Sequence, residues 1–225
     1  MQINLDLQAL RNGGLVAFSG GTNIAQAGVL GATLSFLIEA VSKSKLSHVG
    51  IVPPQCDWLN PTIPGLIEST ELDGISGPQY NPLGPRVQTD YADKGGHAIF
   101  LPFRPEFAPD WDALWKGAAQ MFAEVKAGRL HYSVKRLFAD ATARNVAFAA
   151  LPVAGIIDLL AEHDRGIVCS ECAALLMQTG GVDAKAMAAG IPWLPKVQPI
   201  AGQAIGCSPQ DLRDMPIWMP SFSIV

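Results

Sequence analysis

Cys169 stands at the bend of RGIVCSECAALLMQTG, residues 165–180, between a short apolar run ending at Val168 and a run of helix formers. Ser170 and Glu171 suit a first helical turn, Ala173, Ala174, Leu175, Leu176 and Met177 favour its continuation, and Gly180 and Gly181 stop it. The pattern predicts a thiol at a helix N-terminus, where backbone N–H groups without intrahelical acceptors and the helix dipole favour negative charge. A cysteine so placed is a candidate nucleophile.

A thiol nucleophile needs a base within hydrogen-bond reach, and that base needs an orienting group. Of the four histidines, His48 is the candidate: it opens the strand-like run SHVGIV beside the small residues Ser47 and Gly50. The next short strand, LIEST, carries Glu68. If the two strands pair side by side, Glu68 can accept a hydrogen bond from the imidazole, fix its tautomer and stabilise the imidazolium. His97, His131 and His163 read as solvated or structural histidines. Glu71 and Asp73 lie close by and leave a plainer reading of Glu68, a member of a charged edge; Glu68 is preferred because it continues the apolar pair Leu66-Ile67.

The elements that must position these groups can be read from hydrophobic pattern. Residues 15–18 (LVAF) predict a buried strand followed by a glycine-rich turn, which lacks the GK[ST] ending of a phosphate loop. Residues 24–41 predict a helix, 47–52 a strand, 66–70 a second strand and 97–103 a third. Residues 73–96, rich in Gly and Pro, predict a long surface excursion. A helix is expected over 109–126, with Pro109 in its first turn, apolar residues at helical spacing and Gly128 beyond its end. Two more helices are expected over 134–142 and 146–160. After Gly181 the chain turns Pro-rich, with a short helix at 208–212 capped by Ser208. No internal repeat or interdomain linker is evident.

Composition bounds the function. At 225 residues, 49% hydrophobic and 16% charged, the chain can bury a large core as a single domain, residues 1–225. A formal net charge of −4 and the lack of a basic run argue against nucleic acid as a partner. Residues 1–10 show no signal-peptide pattern, which points to a cytoplasmic location, and the cysteines Cys56, Cys169, Cys172 and Cys207 do not form a small secreted disulfide framework. The longest apolar run, 146–157, is broken by Pro152 and Gly155 and falls short of the roughly 20 residues that span a bilayer. It suits a buried helix pair, with contact at a membrane surface as the alternative.

In order and spacing, SHVGIV, then LIEST with Gly74-Ile75 shortly after, then VCSECA entering a helix, resemble the circularly permuted, YiiX-like branch of the NlpC-type papain-like cysteine hydrolases. In that branch the histidine strand precedes the cysteine helix. The opening GGLVAFSGG, the helix before SHVGI, Tyr132 upstream of the cysteine and the late SPQDL turn are similar too, so the likeness runs from Asn12 to about Arg213. It implies an α+β fold, a papain-like antiparallel sheet packed against helices, with a helical insertion around 109–161. By position it implies Cys169 as nucleophile, His48 as base and Glu68 as orienting acid, with the Cys169 N–H in an oxyanion hole and Ser47, Ser170 and Tyr132 around the cleft. Tyr132 as an ordinary packed tyrosine is the plainer reading. The activity implied is that of a peptidase, amidase or acyltransferase on an amide, ester or thioester, with peptide, lipid or acyl substrates and no metal or organic cofactor.

Two departures stand out. Gly14 occupies a position where the family commonly has Asp, and reads as structural. Cys172 adds a second thiol and with it a rival: Cys169-Ser170-Glu171-Cys172 is a C-x-x-C between strand and helix, the local setting of a redox dithiol. No βαβ frame starts there, and Cys172 one turn into the helix reads more simply as a buried small residue. A non-catalytic binding module that retains the fold is the third alternative. Zinc is disfavoured, because no second C-x-x-C completes a tetrahedral site.

Overall fold

The structure, a computed structural model, describes residues 12–19, 46–54, 65–72, 74–133, 166–193 and 207–224. The helices expected over 24–41, 134–142 and 146–160, together with Cys56 and His163, lie outside the described residues.

Six strands form one antiparallel sheet: β1 (Gly14–Ser19), β2 (His48–Val52), β3 (Gly65–Leu72), β4 (Ile75–Pro82), β5 (His97–Pro102) and the short β8 (Phe222–Ser223). Their spatial order is β4-β3-β2-β1-β5-β8. A second, two-stranded sheet pairs β6 (His131–Tyr132) in parallel with β7 (Gly166–Ile167). Among the described residues, four α-helices are longer than one turn: α1 (Trp111–Lys126), α2 (Cys169–Thr179), α3 (Val182–Ala188) and α4 (Pro209–Arg213). The protein is thus an α+β chain built on an antiparallel sheet.

The β-branched and aromatic runs form the central strands because both faces of the sheet are covered. Strand alternation sends Leu15, Ala17, Val49, Ile51 and Ile67 to one face, where they share a core with Leu114 of α1 and Leu176 of α2. Val16, Phe18, Val52, Leu66 and Phe100 point the other way and share a second core with Leu83 and Val87. Each fully buried Leu, Ile or Phe contributes roughly 1.5–3 kcal/mol. Helix α1 begins where the Asp110 carboxylate accepts the Ala113 N–H at 3.0 Å, one residue after the proline expected in its first turn.

Two glycines are fixed by close approach. A Cβ on Gly50 would lie 2.6 Å from Leu66 Cδ1 and 3.0 Å from the Ile67 carbonyl, so glycine lets β3 lie tightly on β2. A Cβ on Gly14 would lie 2.3 Å from the Leu101 carbonyl, which is the structural reason for glycine where the resembled family has Asp.

The expected surface excursion over 73–96 is overturned. Residues 75–82 of it are β4, paired with β3 along its whole length from Gly65↔Pro82 to Leu72↔Ile75. The chain then continues through an α-helical turn (Leu83–Pro85), a π-helical turn (Arg86–Tyr91) and a 3-10 turn (Ala92–Lys94). Leu83, Arg86 and Val87 of this stretch are buried. Helix α3 is a second difference, since only a Pro-rich tail and one short helix were expected after Gly181. That short helix is present as α4, with Ser208 Oγ accepting the Asp211 N–H at 3.2 Å.

Candidate functional site

Strand β2 begins at His48, and its side chain lies opposite Phe18 in the β1 register. Beside it, β3 pairs antiparallel through Ile51↔Ile67. Alternation therefore puts Glu68 on the sheet face shared with Leu66, and the His48 Nε2–H donates to Glu68 Oε2. Helix α2 packs on both strands and starts at Cys169. The Cys169 sulfur lies close enough to the His48 ring to raise the pKa of the imidazole. Sulfur, imidazole and carboxylate thus form one continuous buried row, 3%, 6% and 0% exposed.

The N-terminal end of α2 is built as the sequence suggests. Val168 is the extended residue before the helix, and its N–H donates to the Glu171 carboxylate at 3.2 Å. The Cys172 N–H closes the first turn onto the Val168 carbonyl at 2.9 Å. The Cys169 N–H, like any donor at the first helical position, has no acceptor within the helix. Ser69 Oγ donates to the Ile167 carbonyl at 2.9 Å and ties β3 to the strand that delivers Cys169.

Electrostatics follow from burial. Burial works against a charged His48, but the Cys169 sulfur and the Glu68 carboxylate outweigh it and raise the imidazole pKa to about 9. Burial alone would push the Glu68 carboxyl up, yet His48 and Arg86 hold it down at about 2. The pair is therefore an imidazolium facing a carboxylate across neutral pH.

Asn81 and Arg86 are the residues that the sequence reading missed. Glu68 Oε1 accepts from Asn81 Nδ2 at 2.7 Å and from Arg86 Nε at 2.8 Å; Oε2 accepts from Arg86 Nη2 at 3.1 Å as well as from His48. Arg86 in turn donates from Nη1 to Asp90 at 2.9 Å and lies 5.3 Å from the centre of the Tyr91 ring. Tyr91 stacks on Phe18 at 4.1 Å and faces the His48 ring at 6.4 Å. The signal in the sequence was Arg86 itself, the single cation of the Gly/Pro-rich residues 73–93.

The remaining expected residues fall into two groups. Tyr132 of β6 pairs in register with Ile167, two residues before Cys169, is half-buried, and feels the Cys169 sulfur; burial first and that sulfur second raise its hydroxyl pKa. It lies near Cys169, in register with the short strand that leads to it. Ser47 and Ser170 are adjacent to the site, but their hydroxyls donate to the carbonyls of Phe18 and Cys207 respectively. Both tie together backbone segments that are distant in sequence, 29 and 37 residues apart. Cys172 is fully buried on the inner face of α2, its sulfur 3.9 Å from that of Met121, and burial pushes its thiol pKa up. His97 and His131 are exposed and Glu71 is exposed near the end of β3, while Glu68 is the acid bonded to His48.

Among the described residues, no group of three or more His, Cys, Asp or Glu is placed to hold a metal ion, and no helix is long and apolar enough to cross a membrane. No protein-family model matches the chain, and comparison with curated proteins finds no match.

Proposed function

We propose that the chain is a thiol hydrolase or acyltransferase with a single permuted papain-like domain, acting through Cys169, His48 and Glu68. The observation that carries this reading is the His48 ring bonded to the buried Glu68 carboxylate on the strands against which α2, beginning at Cys169, is packed. The antiparallel sheet, with the cysteine helix packed on β2 and β3, supports the fold assignment.

In the proposed reaction, the Cys169 sulfur attacks the carbonyl carbon of an amide, ester or thioester while His48 holds the thiol proton. The new C–S bond forms as the bond to the leaving group breaks, and His48 passes its proton to the departing N, O or S atom. Water or another acceptor, deprotonated by His48, then attacks the acyl-enzyme and releases Cys169. Glu68 keeps the ring oriented and compensates its charge, as the acid does in other triads. The N–H of Cys169 is suited to stabilise the oxyanion. The sequence resemblance favours amides such as cell-wall peptides, with lipid and acyl substrates as the other class.

Cys169→Ala and Cys172→Ala, compared with an alkylating probe and a panel of amide and ester substrates, test the proposal. Loss of labelling and turnover in the first variant alone is the expected result. Equal loss in both, with a measurable dithiol potential, would favour redox chemistry. An unreactive Cys169 in the wild-type chain would leave only a binding role.

A further inference from the structure

Glu68 has four occupied acceptor sites, about as many as an ionised carboxylate offers. Two of them belong to one guanidinium, which grips both oxygens at 2.8 and 3.1 Å. With Asn81 on Oε1, the direction toward His48 is the one remaining on Oε2. Asn81 is neutral and supplies no charge. A fully buried carboxylate without a counter-ion lowers its free energy by taking up a proton, so the cation matters as much as the geometry. Arg86 itself is fixed, by Asp90 one turn on and by the Tyr91 ring.

Resting on the thiol reading above, we infer that Arg86 is a positioning residue of the site. Its two-point grip orients Glu68 toward His48 and keeps that carboxylate charged, so the row Cys169, His48, Glu68, Arg86, Asp90 is assembled before substrate arrives. Besides neutral Asn81 of β4, the titratable groups that bear on Glu68 come from three elements: His48 of β2, Cys172 of α2, and Arg86 and Tyr91 of the 83–94 stretch. Cys169 acts on it through His48. Of these, Arg86 is the permanent cation, so it governs the acid side of any pH profile.

The test is the rate of Cys169 alkylation by iodoacetamide against pH, on the full chain, for wild type, Arg86→Met, Arg86→Lys, Glu68→Gln and the double variant Arg86→Met/Glu68→Gln. Arg86→Met is expected to slow alkylation at neutral pH about 10- to 100-fold, the range found when a partner that holds an active-site ligand is removed. It is also expected to move the acid limb to higher pH, because Glu68 now takes up a proton more readily. Arg86→Lys keeps the charge but not the fork, so its acid limb should stay in place while the rate still falls. On the Glu68→Gln background the methionine change should cost nothing further, since Arg86 acts through Glu68.

A wild-type profile in Arg86→Met, or its full cost repeated on Glu68→Gln, would overturn the inference. If the methionine chain does not fold, Arg86→Lys decides: wild-type rates at every pH overturn the inference and a slowed rate upholds it. Failure of the underlying reading looks different. In that case wild-type Cys169 alkylates no faster than a free thiol, whatever stands at position 86.

Discussion

At the scale of single residues, His48 owes its charge state to its neighbours. Buried and alone, an imidazole is driven neutral; here the Cys169 sulfur and Glu68 raise its pKa to about 9. Glu68→Gln removes the carboxylate's share while preserving shape, so the pKa of His48 must fall from that value. The alkaline limb of substrate turnover, where His48 must protonate the leaving group, should then move to lower pH, with a loss on the order of 10²-fold on the alkaline side of neutrality. An alkaline limb that stays near pH 9 in the glutamine variant would show that the acid does not tune the imidazole.

At the scale of elements, the strands that carry His48 and Glu68 were the ones the sequence made plain. SHVGIV and LIEST combine β-branched residues with one small residue each side, and β2 and β3 sit inside the sheet where that pattern is favoured. The thiol, the ring and the acid were legible for that reason. Strand β4, ISGPQYNP, was not: two prolines and a glycine argue against a strand, and the sheet tolerates them because β4 is its edge. Asn81 and Arg86 were lost with it, because their role depends on hairpin register and on a π-helical turn that leaves no periodic trace. Helix α3 is short and lies between Gly181 and Gly190, which hid it within a stretch read as a Pro-rich tail. Gly50, by contrast, was noticed only as a small neighbour, and its real use is to let β3 approach. Gly50→Val would drive a side chain into Leu66 and the Ile67 carbonyl, 2.6 and 3.0 Å from its Cβ. Overpacking of this kind costs about 1–3 kcal/mol. Because the strand that must move carries Glu68, alkylation of Cys169 should fall by more than the loss of folded protein explains. A variant that is destabilised in urea but keeps the wild-type alkylation profile would show that the spacing of β2 and β3 does not control the site.

At the scale of the whole molecule, the charged row is buried beside the second core, under the 83–94 stretch and against Phe18, so its protonation is linked to global stability. The folded-state pKa of His48 lies above its ordinary 6.5, near 9. Its contribution is therefore complete below about pH 6.5 and is lost as pH rises through 9. For Glu68 the folded-state pKa lies below the ordinary 4.5, near 2. Its contribution is complete above about pH 4.5 and is lost as pH falls through 2. The two windows overlap between about pH 4.5 and 6.5, where the row contributes most, and the His48–Glu68 interaction is counted once because both shifts express it. A loss of about 1 kcal/mol lowers Tm by roughly 2–4 °C in a chain of this size. Thermal unfolding followed at intervals from pH 6 to pH 9.5 should thus give a Tm that declines by several degrees in the wild type. In Glu68→Gln, where the imidazole no longer holds its proton so high, the part of that decline due to His48 should shift to lower pH. Parallel curves for the two proteins would mean that the alkaline loss belongs to other groups, and that the row is not the pH-sensitive element of the fold.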